Sequence, residues 1–233
     1  MKKMLRSLLA SNKPIEEDDA FANLMSMAKK IAEHNPAGLS EFVRALLRPV
    51  QAEHLIAVAE RGDHKAPDCL NKLEFFFELP LVAESLEFYL RDKPEIWVDL
   101  SKDIVLPTPW KRDGYANALA NIGAGRVMGA WAQDTLNHSV SVWLPWRIAF
   151  VTGGNHSITA GILAGEGRLL ANEVFDLSPI FARVVCDGRT YRETGTQRVI
   201  GEVLCPRRAA VFEIGRMMIK FDVENVTARR FNR

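Results

Sequence analysis

The first part of the chain has apolar side chains at helical spacing. One face is made by residues at positions i, i+3, i+4 and i+7, which are Phe21, Leu24, Met25 and Ala28. The Asn35-Pro36 pair should end this helix, because the residue before a proline avoids the helical conformation. A second apolar face predicts a helix that Ser40 caps and Pro49 stops. Its members are Phe42, Val43, Leu46 and Leu47.

Helical spacing continues almost to residue 93. Residues 55–60 extend the pattern to a helix-ending turn at Arg61-Gly62-Asp63. Two further helical patterns cover residues 70–79 and 81–90. We therefore predict a mostly helical N-terminal extension over residues 1–93, packed as a small bundle or an arm on the rest of the chain.

From residue 94 the pattern changes to short apolar runs that are typical of strands. These runs are Ile96–Val98, Ile104–Leu106, Ser139–Leu144, Ile148–Val151, Leu169–Val174, Ile180–Val185 and Arg198–Leu204. The fourth run is continuously apolar, which indicates a fully buried central strand. Helices are predicted from Asp113, over Ser157–Ala164 and from Pro206. This alternation predicts an α+β domain over residues 94–233, a small mixed sheet with surrounding helices.

Composition and charge narrow the classes of function. The 233 residues carry a net charge of +1, so no basic field covers the whole molecule, although a local patch could still meet nucleic acid. The three cysteines, Cys69, Cys186 and Cys205, are widely spaced. They predict neither a disulfide framework nor a cysteine-based zinc site, and they favour a reduced, cytoplasmic protein. No apolar stretch is long enough to span a bilayer, so we expect no membrane partner.

The candidate chemistry is concentrated in one strand-turn-helix segment, residues 146–163. Gly153 and Gly154 permit positive φ angles and let a ligand approach the backbone. The helix that follows would direct its first N–H groups at an anion such as phosphate. His156 is the candidate general acid or base, because an imidazole titrates near neutral pH. Thr152 and Thr159 offer hydroxyl groups to a phosphate or a hydrated metal.

A purely structural interpretation of the same segment stays open. It is a tight strand-to-helix turn with a half-buried histidine, in which either Asn155 or Ser157 caps the helix. The segment contains neither the G-x-x-x-x-G-K-[ST] phosphate loop nor the G-x-G-x-x-G dinucleotide motif. The remaining histidines, His34, His54, His64 and His138, are expected at the surface or as caps. Trp143 and Trp146 are expected in the core or an interface.

The strand, glycine turn, histidine and small-residue helix together resemble the signature turn of the ParB/sulfiredoxin superfamily. Its members read Gly-x-His-Arg or Gly-x-x-Arg there and hold nucleotide phosphates with it. The segment Asp103–Pro107 resembles the opening strand, with a helix from Asp113 and a strand from Val140. The resemblance covers residues 103–185 and implies a ParB/sulfiredoxin-like fold.

Within that superfamily the chain resembles the plasmid fertility-inhibition proteins. This branch is associated with ATP hydrolysis, DNA cleavage and suppression of conjugative transfer, and so implies a nucleotide or DNA as partner and Mg²⁺ with ATP as cofactor. The resemblance maps Gly154, Asn155 and His156 onto the turn, with Asn155 and His156 as the catalytic pair. The alternative is a non-catalytic interaction protein that kept the fold and uses its helical region to block a partner complex.

One position departs from the family pattern. Ser157 stands where the family has an arginine, and a hydroxyl cannot make the charged, bidentate phosphate contact of a guanidinium. Lys111, Arg112 and Arg147 are the candidate substitutes. Trp110 adds an aromatic face beside two of these cations. No paired-histidine or D-x-D spacing predicts a metal site, so magnesium would bind mainly through substrate phosphates.

Overall fold

Two helices open the part of the chain that the structure, a computed structural model, describes. The described residues are 17–64, 74–78, 89–91 and 95–223, with side chains from residue 20. Helix α1 spans Glu17–His34 and helix α2 spans Gly38–Arg61. The predicted helical patterns over 70–79 and 81–90 lie largely outside the described residues. No helix among the described residues is long and apolar enough to cross a membrane.

Helix α2 is longer than the sequence pattern predicted. Pro49 lies inside it and Ala37 is its N-cap, so the predicted stop at Pro49 and cap at Ser40 are wrong. A proline inside a helix costs about 3 kcal/mol. The apolar face continues on both sides of the proline and each buried leucine or valine returns about 1.5–3 kcal/mol, which keeps the helix intact. The buried apolar side chains of this face are Leu39, Val43, Leu46, Leu47, Leu55, Ala57 and Val58.

The rest of the described chain alternates short strands with helices, which gives the α+β class that the sequence predicts. The strands are β1 (Trp97–Asp99), β2 (Ile104–Leu106), β3 (Ser139–Leu144), β4 (Ile148–Gly153), β5 (Arg168–Leu170), β6 (Glu173–Asp176), β7 (Val184–Cys186), β8 (Thr190–Glu193) and β9 (Val199–Glu202). The helices are α3 (Arg112–Asn121), α4 (Asn155–Ala164) and α5 (Pro206–Lys220).

The four-stranded central sheet has the order β2-β4-β3-β6. Strands β2 and β4 run parallel, whereas β3 is antiparallel to β4 and parallel to β6. The first four residues of β4 are buried, as expected for a central strand. Two smaller sheets pair β1 with β5 and join β7, β8 and β9.

Two of the predicted strands differ in the structure. The run Leu169–Val174 divides between β5 and β6, which belong to different sheets. The run Ile180–Val185 begins in a 3₁₀ turn over Ser178–Ala182 and reaches the extended conformation only at β7. Pro179 favours the first turn of a helix, and Asp176 Oδ1 accepts from the Ser178 amide at 3.1 Å. These two features favour a 3₁₀ helix over an extended strand at residues 178–182.

Side chains from the N-terminal helices share one hydrophobic cluster with the sheet and α5. Leu47 of α2, Phe150 of β4 and Phe212 of α5 belong to this cluster. Trp143 and Trp146 are also buried in it, which confirms their predicted place in the core. The helices α1 and α2 thus pack directly on the β-containing part of the chain.

Helix α2 also protects the outer edge of β2, an edge strand of the central sheet. Three side chains spaced three residues apart donate to carbonyl groups along that edge. Arg48 Nη2 donates to the Lys102 oxygen at 2.6 Å and Gln51 Nε2 to the Val105 oxygen at 2.8 Å. The imidazole of His54 reaches the Pro107 oxygen from Nδ1 at 2.9 Å. An edge whose carbonyls would otherwise be unpaired is therefore closed.

The buried position of His54 corrects the prediction that it lies at the surface or caps a helix. A carbonyl only accepts, so Nδ1 of His54 carries the proton. The other nitrogen, Nε2, is buried without a partner among the described residues. Burial lowers the pKa of His54 to about 4, against the opposing effect of the Pro107 hydrogen bond. The ring is therefore neutral near pH 7.

We predict that His54 makes the protein sensitive to acid. The unfolded chain protonates this ring near pH 6.5 and the folded chain only near 4, so stability is lost as the pH falls between these values. The loss should approach about 3 kcal/mol at pH 4, at about 1.4 kcal/mol per pKa unit. Urea unfolding of wild type and His54→Gln at pH 7 and pH 4.5 measures it.

The His54→Gln variant should lose part of the wild-type pH dependence, because glutamine can donate to the Pro107 carbonyl without titrating. The exposed His34, at the end of α1, gives the control His34→Gln, which should behave as wild type. An identical pH dependence in wild type and His54→Gln would contradict the prediction.

Candidate functional site

Two strand-to-helix connections meet at one edge of the central sheet. Strands β2 and β4 are adjacent and parallel, so their C-terminal ends lie on the same side. Residues 107–111 lead from β2 into α3, and Gly154 leads from β4 into α4. The helices α3 and α4 pack against each other. Open sheets commonly bind ligands at the C-terminal ends of their parallel strands.

The segment packed against the turn leaves no space for a side chain at either of its two glycines. Gly154 is the N-cap of α4 and has left-handed backbone angles, φ 75° and ψ 25°. A Cβ atom on Gly154 would collide with Cδ2 of His138, and one on Gly153 would lie 2.5 Å from the carbonyl oxygen of Asn137. Any side chain at either position would force the segment 137–138 away. Close packing therefore accounts for both glycines.

His138 is buried, which corrects the prediction that it lies at the surface or caps a helix. Its Nδ1 accepts from the Asp134 amide at 2.9 Å, and its ring stacks on Trp131 with centroids 4.9 Å apart. Burial lowers the pKa of His138, while the Asp134 carboxylate opposes this effect. His138 thus packs against Gly154, and Trp131 stacks on His138. Sequence reasoning missed both roles, since neither lies near the turn in the chain.

The polar side chains of the turn make hydrogen bonds inside the protein. Asn155 Oδ1 accepts from the Thr108 amide at 2.7 Å. Ser157 Oγ accepts from the indole Nε1 of Trp131 at 3.1 Å. Neither Asn155 nor Ser157 caps α4, so that expectation is wrong. Both side chains instead tie α4 to neighbouring segments.

The hydroxyl groups of two threonines near the turn also make hydrogen bonds inside the protein. Thr159 is fully buried and its hydroxyl donates to the Asn155 carbonyl oxygen at 2.7 Å, within α4. Thr152 is exposed at the end of β4 and donates to Ser139 Oγ at 2.8 Å. Thr159 is therefore placed to stabilise the helix, whereas Thr152 lies on the solvent side of the turn.

His156 connects α4 to the beginning of α3. Its Nε2 lies 3.2 Å from the Lys111 amide and 3.4 Å from the Trp110 amide. An amide can only donate, so Nε2 holds the lone pair and the neutral ring carries its proton on Nδ1. Burial lowers the pKa of His156 and keeps the ring neutral near pH 7. Nδ1 has no hydrogen-bond partner in the described part of the chain.

The two helix N-termini at this edge differ in how their amides are satisfied. The amides at the beginning of α3 are paired with side chains. Asp63 Oδ1 accepts from the Arg112 amide at 2.8 Å, and His156 Nε2 accepts from the amides of Trp110 and Lys111. Helix α4 has neither a capping side chain nor an acidic residue in its first turn. The amides of Asn155, His156 and Ser157 donate to no acceptor within the described residues.

These open amides follow a left-handed glycine. A left-handed residue followed by helical residues turns successive N–H groups toward one point, which is the geometry of an anion-binding nest. The helix dipole adds a partial positive charge of about half a unit at the same end. The arrangement can therefore hold an anion with main-chain groups alone.

The structure brings two of the three predicted cationic residues to this edge. Lys111 and Arg112 are exposed at the beginning of α3, and Lys111 Nζ lies 4.9 Å from the ring centroid of Trp110. Arg147 precedes β4 and therefore lies at the opposite end of that strand, roughly 20 Å from Gly153 at about 3.3 Å per residue. There it donates to the Trp97 carbonyl oxygen at 3.0 Å and faces Asp103.

No metal site is evident among the described residues, where no three histidine, cysteine or acidic side chains are grouped. Glu166 has a structural role, because its Oε1 accepts from the amides of Ala124 and Trp131, each at 3.0 Å.

Comparison with known proteins places the chain in a family by sequence. The model of the "Family of unknown function (DUF6710)" matches residues 8–225. A search of curated proteins found no match to this chain, and neither did a search of solved structures.

We predict that Gly154→Ala destabilises the protein much more than Gly165→Ala. Both glycines flank α4 with left-handed φ angles, 75° and 68°, but a Cβ on Gly165 meets nothing within 4 Å. Gly165→Ala should therefore cost about 1 kcal/mol for the backbone conformation alone. Gly154→Ala should cost about 3 kcal/mol or more, since it also displaces His138. Denaturant unfolding measures both losses.

A double-mutant cycle isolates the contact. His138→Ala should lower the additional cost of Gly154→Ala, because the smaller side chain leaves room for the new Cβ. Equal losses for the two glycine variants would contradict a packing requirement at Gly154.

Proposed function

The chain belongs to the DUF6710 family, and we propose that it binds a phosphate group of a nucleotide or nucleic acid where α4 begins. The observation that carries this proposal is the open first turn of α4, where the amides of Asn155, His156 and Ser157 are unpaired among the described residues. The exposed Lys111 and Arg112 begin α3 at the same end of the sheet. The neighbouring N-terminus of α3 is closed by protein side chains, so an anion would be drawn to α4.

We further propose that residues 103–185 form a ParB/sulfiredoxin-like core. The order of elements supports this proposal, because β2 leads into α3, and β4 leads through the glycine turn into α4. In that comparison Ser157 replaces the usual arginine. Lys111 and Arg112 are the proposed source of the missing positive charge, now supplied from α3 instead of α4.

The hydrolytic activity that the resemblance implies has one candidate acid or base at the turn. Because the neutral ring carries its proton on Nδ1, His156 would take a proton from water through Nε2, after Nε2 gives up its contacts with the Lys111 and Trp110 amides. Asn155 would contribute by holding the Thr108 amide and so shaping the site. Magnesium would arrive with ATP, bound through the phosphates. In the proposed reaction a water oxygen attacks the phosphorus of a phosphoanhydride or phosphodiester, and the P–O bond to the leaving phosphate or alkoxide breaks.

A non-catalytic interaction protein is the second candidate, and two observations favour it. The side chains of Asn155, His156 and Ser157 all have structural partners, which leaves few groups free for chemistry. Large apolar side chains are also exposed after α3, where Val127 is 90% and Leu136 98% accessible to solvent. Exposed apolar side chains are suited to contact with another protein.

We expect Lys111→Ala to weaken binding of pyrophosphate, ATP or a short DNA duplex roughly threefold, and Lys111→Ala/Arg112→Ala roughly tenfold. Each exposed cation should contribute about 0.2–1 kcal/mol to anion binding at low salt, the range of an exposed ion pair. Calorimetric titration and ligand-induced thermal shifts at low ionic strength measure the affinities. Lys102→Ala is the matched control, because Lys102 is exposed at the opposite end of β2. No measurable binding of any of the three ligands by wild type would refute the proposed function.

Hydrolysis is tested separately from binding. If the chain cleaves ATP or DNA in the presence of Mg²⁺, His156→Gln should reduce turnover by about 10²–10⁴-fold, the contribution of a positioned acid or base. Glutamine can still accept from the Lys111 amide, so ligand affinity should change much less than turnover. Binding without turnover in wild type would favour the non-catalytic candidate.

A further inference from the structure

The segment 107–111 is held against α4 by two adjacent side chains, and one of them can take up a proton. Asn155 Oδ1 accepts from the Thr108 amide at 2.7 Å. His156 Nε2 accepts from the amides of Lys111 and Trp110 at 3.2 and 3.4 Å. An amide side chain does not titrate, whereas an imidazole does.

Protonation would reverse the role of Nε2. An imidazolium carries N–H groups at both ring nitrogens and can accept no hydrogen bond. The amides of Trp110 and Lys111 would then face another donor, while the Asn155 contact would remain. Nε2 lies close to the backbone of α3, since a Cβ added at Gly114 would lie 3.1 Å from it. The absence of a side chain at residue 114 lets the ring approach α3 this closely.

We propose that His156 is a pH-sensitive pin, whose protonation releases Trp110 and Lys111 from α4. The released segment would include the exposed indole and ammonium groups and the amide that begins α3. This inference concerns contacts within the protein and does not depend on ligand binding at α4.

The charges around the ring favour its neutral form in the pinned state. Burial is the main cause that lowers the pKa of His156, and the Lys111 cation acts in the same direction. His64 also faces this segment, with its ring centroid 5.2 Å from that of Trp110. The other titratable or charged groups near the ring on the packed elements include Asp63, Arg112, Asp113, Tyr115 and His138.

The direction of the pH effect follows from linkage. A released imidazole would protonate near the ordinary value of 6.5, whereas the pinned ring protonates at lower pH. The released form therefore binds protons more readily, and its population grows as the pH falls below 6.5. Above that value His156 is neutral and holds Trp110 and Lys111 against α4.

Hydrogen exchange on the full-length protein tests this inference. After correction for intrinsic rates, peptides covering residues 108–116 should lose roughly tenfold in protection between pH 7 and pH 5, because two amide hydrogen bonds are lost. His156→Gln supplies a non-titrating acceptor and should retain its protection at both values. The control His34→Gln, at the end of α1, should keep the wild-type pH response.

Loss of protection that persists unchanged in His156→Gln would overturn the proposal, as would constant protection in wild type. A second measurement does not depend on the variant being folded. In an NMR titration of the wild type, the Lys111 amide should shift with the midpoint of the His156 ring. An amide that is insensitive to the titration of His156 would equally overturn the proposal.

Discussion

The parallel hydrogen bonds between β2 and β4 bring two strand ends and two helix beginnings to one edge of the central sheet. Strand β2 is at the edge of the sheet, so β4 is its only neighbouring strand in this sheet. The outer side of β2 is closed by α2, where Gln51 and His54 donate to the carbonyls of Val105 and Pro107. Helix α2 therefore supports strand β2, from which the segment 107–111 leaves. A helix distant in sequence thus helps to define the candidate site.

The local chemistry at that edge follows from an asymmetry between two helices. The amides at the beginning of α3 meet Asp63 and His156, whereas those of α4 meet no side chain among the described residues. A buried or half-buried donor without an acceptor is costly, and an anion would relieve that cost. The side chains of the turn position neighbouring segments, so the groups left for a ligand belong mainly to the main chain. This is why we propose binding first and hydrolysis second.

Local patterns predicted the elements of the site well, and long-range packing explains what they missed. The apolar run of β4 and the glycine pair indicate a buried strand and a sharp turn before α4, since both signals lie within a few residues. Burial of His54 depends on the course of β2 relative to α2, which no local spacing encodes. The same holds for His138 beneath Gly154 and for Arg147, which the chain direction of β4 places at the wrong end of the strand.

The packing around Ser157 bears on the arginine that the proposed ParB-like comparison would have at this position. The indole of Trp131 donates to its hydroxyl and carbonyl oxygens, at 3.1 and 2.9 Å. That indole packs so closely on Gly161 and Gly167 that a Cβ on either glycine would crowd its ring. An arginine at position 157 would give up the hydroxyl contact and place a long side chain beside this packed indole. The serine is therefore one part of a joint arrangement with Trp131 and two glycines, and positive charge for a phosphate would have to enter from α3, where Lys111 and His156 already meet.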